Sequence, residues 1–121
     1  DRITAMDEEQ FAQMQRMSAA TLTTDSLRFA EIVNWGLASD RKTYAKLFCD
    51  FSNTDLRECI KNIVVPSLVL LEPYFKHIDI KNQYKNLSVA QIRYADKGLH
   101  FVMFDDREWF IHQICEFIKE R

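Results

Sequence analysis

Glycine and proline are scarce, with two of each in 121 residues, against average usage of about 7% and 5%. Tight catalytic turns draw on glycine for backbone that other residues resist. With glycine only at Gly36 and Gly98, the chain suits a mostly helical segment or a piece of something larger rather than a complete catalytic domain. Cysteine is thin too. Cys49, Cys59 and Cys115 are odd in number and widely spaced, which argues against a disulfide framework and against a zinc site. They read as buried free thiols. No basic block exists: 16 Lys and Arg are interspersed with 18 Asp and Glu for a net charge of −2, which gives nucleic acid or an anionic membrane nothing to steer by. The longest apolar run, residues 63–71, is broken by Pro66 and Ser67 and is shorter than the roughly 20 residues a bilayer requires. No signal peptide is visible. The first residue is Asp1 rather than Met, so an export signal could lie upstream.

What is present is ordinary core-forming material, 47% hydrophobic and 28% charged, and the length allows one domain. The pattern changes near residue 62. Before it, every signal is helical. Asp7-Glu8-Glu9 puts acids in a first turn, where they meet the positive helix end, and Phe11, Met14 and Met17 recur as an apolar stripe. Thr23 to Ser26 is a cluster of N-cap residues ahead of Leu27, Ala30, Val33 and Leu37 at helical spacing, widened by Phe29, Ile32 and Trp35. Asp40 caps a third helix with Tyr44, Leu47, Phe48 and Phe51 on one face, and Asn53 or Thr54 caps a short fourth through Leu56 and Ile60.

Beyond residue 62 the run 66–71 is apolar without alternation, as a parallel strand covered on both faces requires. Residues 90–95 alternate more and read as a second strand nearer a sheet edge. A helix over 79–87 lies between them. A long final helix starts at Asp105-Asp106, with Trp109, Ile111, Ile114, Cys115 and Ile118 on its face. Strand, helix, strand, helix is the order of parallel α/β units. Two parallel strands leave unpaired edges and make no stable open sheet, so the chain looks incomplete or finds neighbours in another chain.

Several segments, in order, carry a resemblance. Residues 63–71, Ile-Val-Val-Pro-Ser-Leu-Val-Leu-Leu, resemble the "I-x-V-P-T-L-V-L" approach to the penultimate strand of α/β-hydrolases. Asp55-Leu56-Arg57 matches the short helix before it. Residues 83–92 resemble that family's helix and last strand, and Lys97-Gly98-Leu99-His100-Phe101-Val102-Met103 the loop that delivers its catalytic histidine. Asp105 to Phe110, with Phe117-Ile118, looks like its closing "D-x-P-E-x-F…F-L" helix. The resemblance implies an α/β fold: the C-terminal portion of a hydrolase, with a helical cap, or lid, of four helices over residues 1–62 and a parallel β-α-β-α unit over 63–121.

It implies a serine hydrolase acting on an ester or related acyl substrate, with no cofactor and no metal. His100, just past a strand and before a helix, stands where a triad histidine takes and returns a proton. His77 and His112 lack that context. The family's acid commonly follows the penultimate strand, yet Glu72 stands where a glycine is expected and Pro73, Tyr74 and Phe75 fill the aspartate's place. The candidates, in order, are an acid upstream of Asp1, then Asp79, then Glu72. Asp96, Asp105 and Asp106 read as solvated loop and cap residues. Phe11, Met14, Met17, Phe29 and Trp35 would wall the acyl pocket. The nucleophile elbow G-x-S-x-G is absent from these 121 residues, so the missing N-terminal half would supply serine and oxyanion hole. From a different class comes a non-catalytic helical and α/β module that self-associates or binds a protein partner through its apolar faces and open sheet edges. Because the elbow is absent, the isolated chain is expected to show no saturable turnover and no burst with an activated ester. A stoichiometric burst would contradict that.

Overall fold

Three aspartates start the first three helices. The Asp7 carboxylate accepts from the Gln10 amide at 2.8 Å, and the Gln10 side-chain oxygen accepts from the Asp7 amide at 3.1 Å. That reciprocal pair opens α1, Glu8–Ala19. Asp25 accepts from Leu27 and Arg28 at 2.9 and 3.1 Å and opens α2, Ser26–Ala38. Asp40 accepts from the Thr43 amide at 2.9 Å and the Thr43 hydroxyl at 2.8 Å to open α3, Arg41–Asn53. The same bonds, the backbone one first, hold the Asp40 carboxyl below its usual range. The computed structural model describes residues 2–120, in two compact units that divide between Thr54 and Asp55.

In the first unit α1 packs against α2. The buried residues of α1 are Phe11, Gln15 and Ala19, and those of α2 are Ile32 and Val33. α3 joins through aromatic contacts: Tyr44 meets the Phe11 ring edge-on at 5.8 Å, Phe48 stacks on Tyr44 at 6.3 Å, and the Arg41 guanidinium sits 5.0 Å over Phe11. Ala45 is buried. These faces correct the sequence reading. Met14 is half-buried and Met17 exposed, because α1 turns its Phe11, Gln15, Ala19 row inward. On α2, Leu27 and Leu37 face water while Ile32 and Val33 are buried. Leu47, Phe48 and Phe51 are exposed along α3.

The expected fourth helix is a single 3-10 turn, Cys59–Asn62. Thr54 ends α3 by donating its hydroxyl to the Asp50 carbonyl at 2.5 Å. Asp55 then accepts from the Arg57 amide at 3.0 Å and from its guanidinium, and this local turn competes with helix. The cysteines are free but exposed, against the burial expected of them, because the helix faces that carry Cys49 and Cys115 are not covered.

The second unit holds β1, Ser67–Leu71, and β2, Ala90–Tyr94, paired in parallel with Ser67 opposite Ala90 and Leu71 opposite Tyr94. The expected helix over 79–87 shrinks to α4, Lys81–Tyr84, preceded by a 3-10 turn, Pro73–His77. After β2 come α5, Val102–Asp105, and α6, Arg107–Lys119, which packs on β1. The described residues thus form six α-helices and one two-stranded parallel sheet. Ile80, Leu87, Ala95 and Val102 are the buried residues of this unit, whereas all of β1 is only half-buried.

The α1–α2 crossing yields a test. A Cβ on Gly36 would fall 2.1 Å from the Gln15 side-chain oxygen and 2.6 Å from its Cδ, and Gln15 is 5% exposed with its Nε2 unpaired among the described residues. Gly36→Ala should therefore carry an overpacking cost of about 1–3 kcal/mol, partly offset by the helix propensity that alanine gains over glycine. Gly36→Ala combined with Gln15→Ala should remove most of that cost and expose the roughly 1 kcal/mol of helix propensity that alanine gains over glycine. Chemical denaturation of the single and double variants measures the coupling; additive effects would contradict the packing described.

Candidate active site at the strand ends

The parallel register sets the two strand ends side by side. Beyond the Leu71–Tyr94 pair, the Ala95 amide donates to the Leu71 carbonyl at 2.8 Å, and Ala95 is fully buried. Glu72 leaves β1 in extended backbone and precedes the Pro73–His77 turn. Pro73 in the first position of that turn lacks the amide that would go unbonded there. Across the sheet, residues 96–101 turn back toward α5. Ligands of parallel sheets gather beyond these carboxyl ends.

The return loop is pinned at several points. Gly98 adopts φ 93°, a region that side chains resist, and a Cβ there would lie 2.6 Å from Asp105 Cβ. The Leu99 amide donates to the Asp105 carboxylate at 2.7 Å. Lys76 reaches from the Pro73–His77 turn to Asp96 at 2.6 Å, and Lys97 lies 3.7 Å from Asp106. Phe101 stacks obliquely beside the His100 ring at 5.7 Å and meets Phe104 edge-on at 5.8 Å.

Within that frame His100 Nδ1 lies 3.4 Å from Glu72 Oε1. The distance is long for a hydrogen bond. The carboxylate is tucked in at 14% side-chain exposure, while the imidazole is 59% exposed. One ring nitrogen thus faces an acid, and most of the ring is open. Such an arrangement can orient an imidazole.

Of the three acid candidates, Glu72 is the one placed against His100. Asp79 lies on an exposed stretch between the Pro73–His77 turn and α4, and an upstream acid lies outside the chain. The five residues expected to wall an acyl pocket are dispersed. Met14 and Met17 line an open hollow of about 560 Å³ with Arg2, Met6 and Gln10. Phe11 lines another of about 400 Å³ with Thr4 and Leu37. Phe29 is half-buried, and Trp35 is exposed. His77 ends its 3-10 turn and His112 lies on α6, both exposed. Asp105 is half-buried on a backbone amide rather than solvated, a role that only the lone glycine at position 98 could have signalled.

Among the described residues no cluster of three or more His, Cys, Asp or Glu is arranged to hold a metal, and no helix is long and apolar enough to cross a membrane. Comparison with protein-family models, with curated proteins and with solved structures found no match.

The Lys76–Asp96 pair links the two sides of the site, and its acid provides a test. The Lys76 ammonium holds the Asp96 carboxyl below its usual range. A carboxyl lowered on folding contributes stability that is complete above its unfolded pKa of about 3.9 and is lost as pH falls through its lower folded value. Carbon-detected NMR titration should place Asp96 below the ordinary range, and Lys76→Met should return it there. Titration of Asp96 in the ordinary range in the unaltered chain would contradict the pairing.

Proposed function

We propose that this chain is the C-terminal portion of a serine α/β-hydrolase acting on an ester or related acyl substrate, to which it contributes the lid and the triad histidine. The observation that carries the reading is the His100–Glu72 pair at the carboxyl ends of adjacent parallel strands. In this reading Glu72 accepts from Nδ1–H, and Nε2 takes the proton from a serine nucleophile and later returns it to the leaving group. The Glu72 carboxylate then offsets the charge of the imidazolium. His100 is too exposed to work alone as a buried general base. Oxyanion stabilisation needs a site that excludes water, so the serine, the oxyanion hole and the cover over His100 belong to the missing N-terminal half.

The described residues up to Thr54 pack as a separate helical unit, which suits a lid that precedes the strands in sequence. Met14 and Met17 around their open hollow offer the adaptable apolar wall that an acyl chain needs. Phe11, Phe29 and Trp35 do not share it.

A second reading is favoured by the exposed apolar side chains Leu47, Phe48 and Phe51, together with Val64 and Val65 ahead of β1. It holds that the chain is a non-catalytic module that self-associates or binds a protein partner. Light scattering over a concentration series tests it, since a strictly monomeric state throughout would contradict self-association.

For the hydrolase, the coding sequence upstream of Asp1 is expected to contain G-x-S-x-G, and alanine or glycine at the elbow serine would refute the reading. In the full-length enzyme, His100→Ala should lower kcat by on the order of 10⁶ and Glu72→Ala by roughly 10⁴, the scale of triad deletions. Near-normal turnover of His100→Ala would refute the assignment of the base.

A further inference from the structure

We infer that Asp105 is a positioning residue for His100: its carboxylate, by accepting the Leu99 amide beside the space that Gly98 leaves open, holds the loop so that His100 Nδ1 faces Glu72. The inference rests on reading His100 as a general base.

Leu99 immediately precedes His100, and the hydrogen bond its amide donates to the Asp105 carboxylate at 2.7 Å closes a turn of six residues' separation that contains the histidine. Fixing that peptide fixes the backbone from which the imidazole hangs. The anchor is itself held: the amides of Phe104 and Asp105 donate to the Phe101 carbonyl at 2.9 and 3.3 Å, and the Asp106 amide donates to the Val102 carbonyl at 2.8 Å. Gly98 makes the approach possible twice over. It takes the positive φ, and it leaves free the volume where a Cβ would meet Asp105 Cβ at 2.6 Å. The two neighbouring loop acids are otherwise engaged, Asp96 with Lys76 and Asp106 with Lys97. A carboxylate on a backbone amide is a strong, directional bond. The exposed Lys76–Asp96 ion pair holds geometry far less firmly.

The readout is the tautomer of His100, observed through ring ¹⁵N shifts of the full chain labelled at histidine, at a pH where the ring is neutral. Unaltered protein should show the Nδ1–H form, and Glu72→Ala should lose it. Asp105→Ala and Gly98→Ala should each lose it with Glu72 intact, while Asp105→Asn, which keeps an acceptor oxygen, retains it. Protection of the Ala95 amide checks that the strand pairing survives. Should Asp105→Ala not fold, the scalar coupling across the bond between Leu99 ¹⁵N and Asp105 ¹³Cγ in the unaltered chain decides: its detection supports the clamp and its absence overturns it. Retention of the Nδ1–H form in folded Asp105→Ala overturns the positioning role and leaves the general base standing. An unchanged tautomer in Glu72→Ala means that the His100–Glu72 pair does not form, and both fall.

Discussion

The hydrogen bond from the Ala95 amide to the Leu71 carbonyl is the constraint on which the site depends. It extends the parallel ladder one residue past the last strand pair, at a position with no exposure. A typical net hydrogen bond contributes about 1 kcal/mol, and a buried amide left without a partner costs about 1–3 kcal/mol, so the register is strongly defended at this end. A slip of one residue would reverse the face of every side chain on one strand. Glu72 would then leave the sheet on the wrong side, and the loop that bears His100 would meet Pro73 or Leu71 instead. The approach of Glu72 to His100, 28 positions apart in the chain, therefore rests on a backbone contact between two apolar strands.

The same strands leave apolar surface in water. β1 is Ser-Leu-Val-Leu-Leu, a composition suited to burial on both faces, yet every residue in it is only half-buried. Val64 and Val65 just before it are exposed, as are Leu47, Phe48 and Phe51 on α3. A large apolar side chain left in water forgoes about 1.5–3 kcal/mol, and several do so here. Surfaces of this kind are built to be covered. In the hydrolase reading the cover is the remainder of the parent sheet, the part that would also carry the serine and shield His100 from bulk water.

Much of this was legible in the residues themselves. Residues 66–71 and 90–95 announced their strands within a residue, because an unbroken apolar run and a bounded alternating run have few other uses. Asp40 marked a helix start, and the acids at 7–9 and the cap cluster at 23–26 marked two more, with Asp7 and Asp25 the caps that the backbone uses. Helix phase was harder. α1 buries Gln15 and turns Met17 outward, since the close approach of Gly36 to Gln15 decides the contact and hydrophobicity alone does not record it. Glu72 stood last among the acid candidates because its place after the strand departs from the usual pattern, and only strand register could show which acid lies against His100. Asp105 looked like an ordinary cap residue for the same reason. Its partner is an amide, and amides carry no sequence signature.

The most direct measurement of the central claim is labelling of the full-length gene product by a fluorophosphonate probe, followed by peptide mapping. The hydrolase reading is supported by one modified serine, located upstream of Asp1, whose labelling is lost in His100→Ala. Labelling that persists undiminished in His100→Ala, or no labelled serine at all, would contradict it.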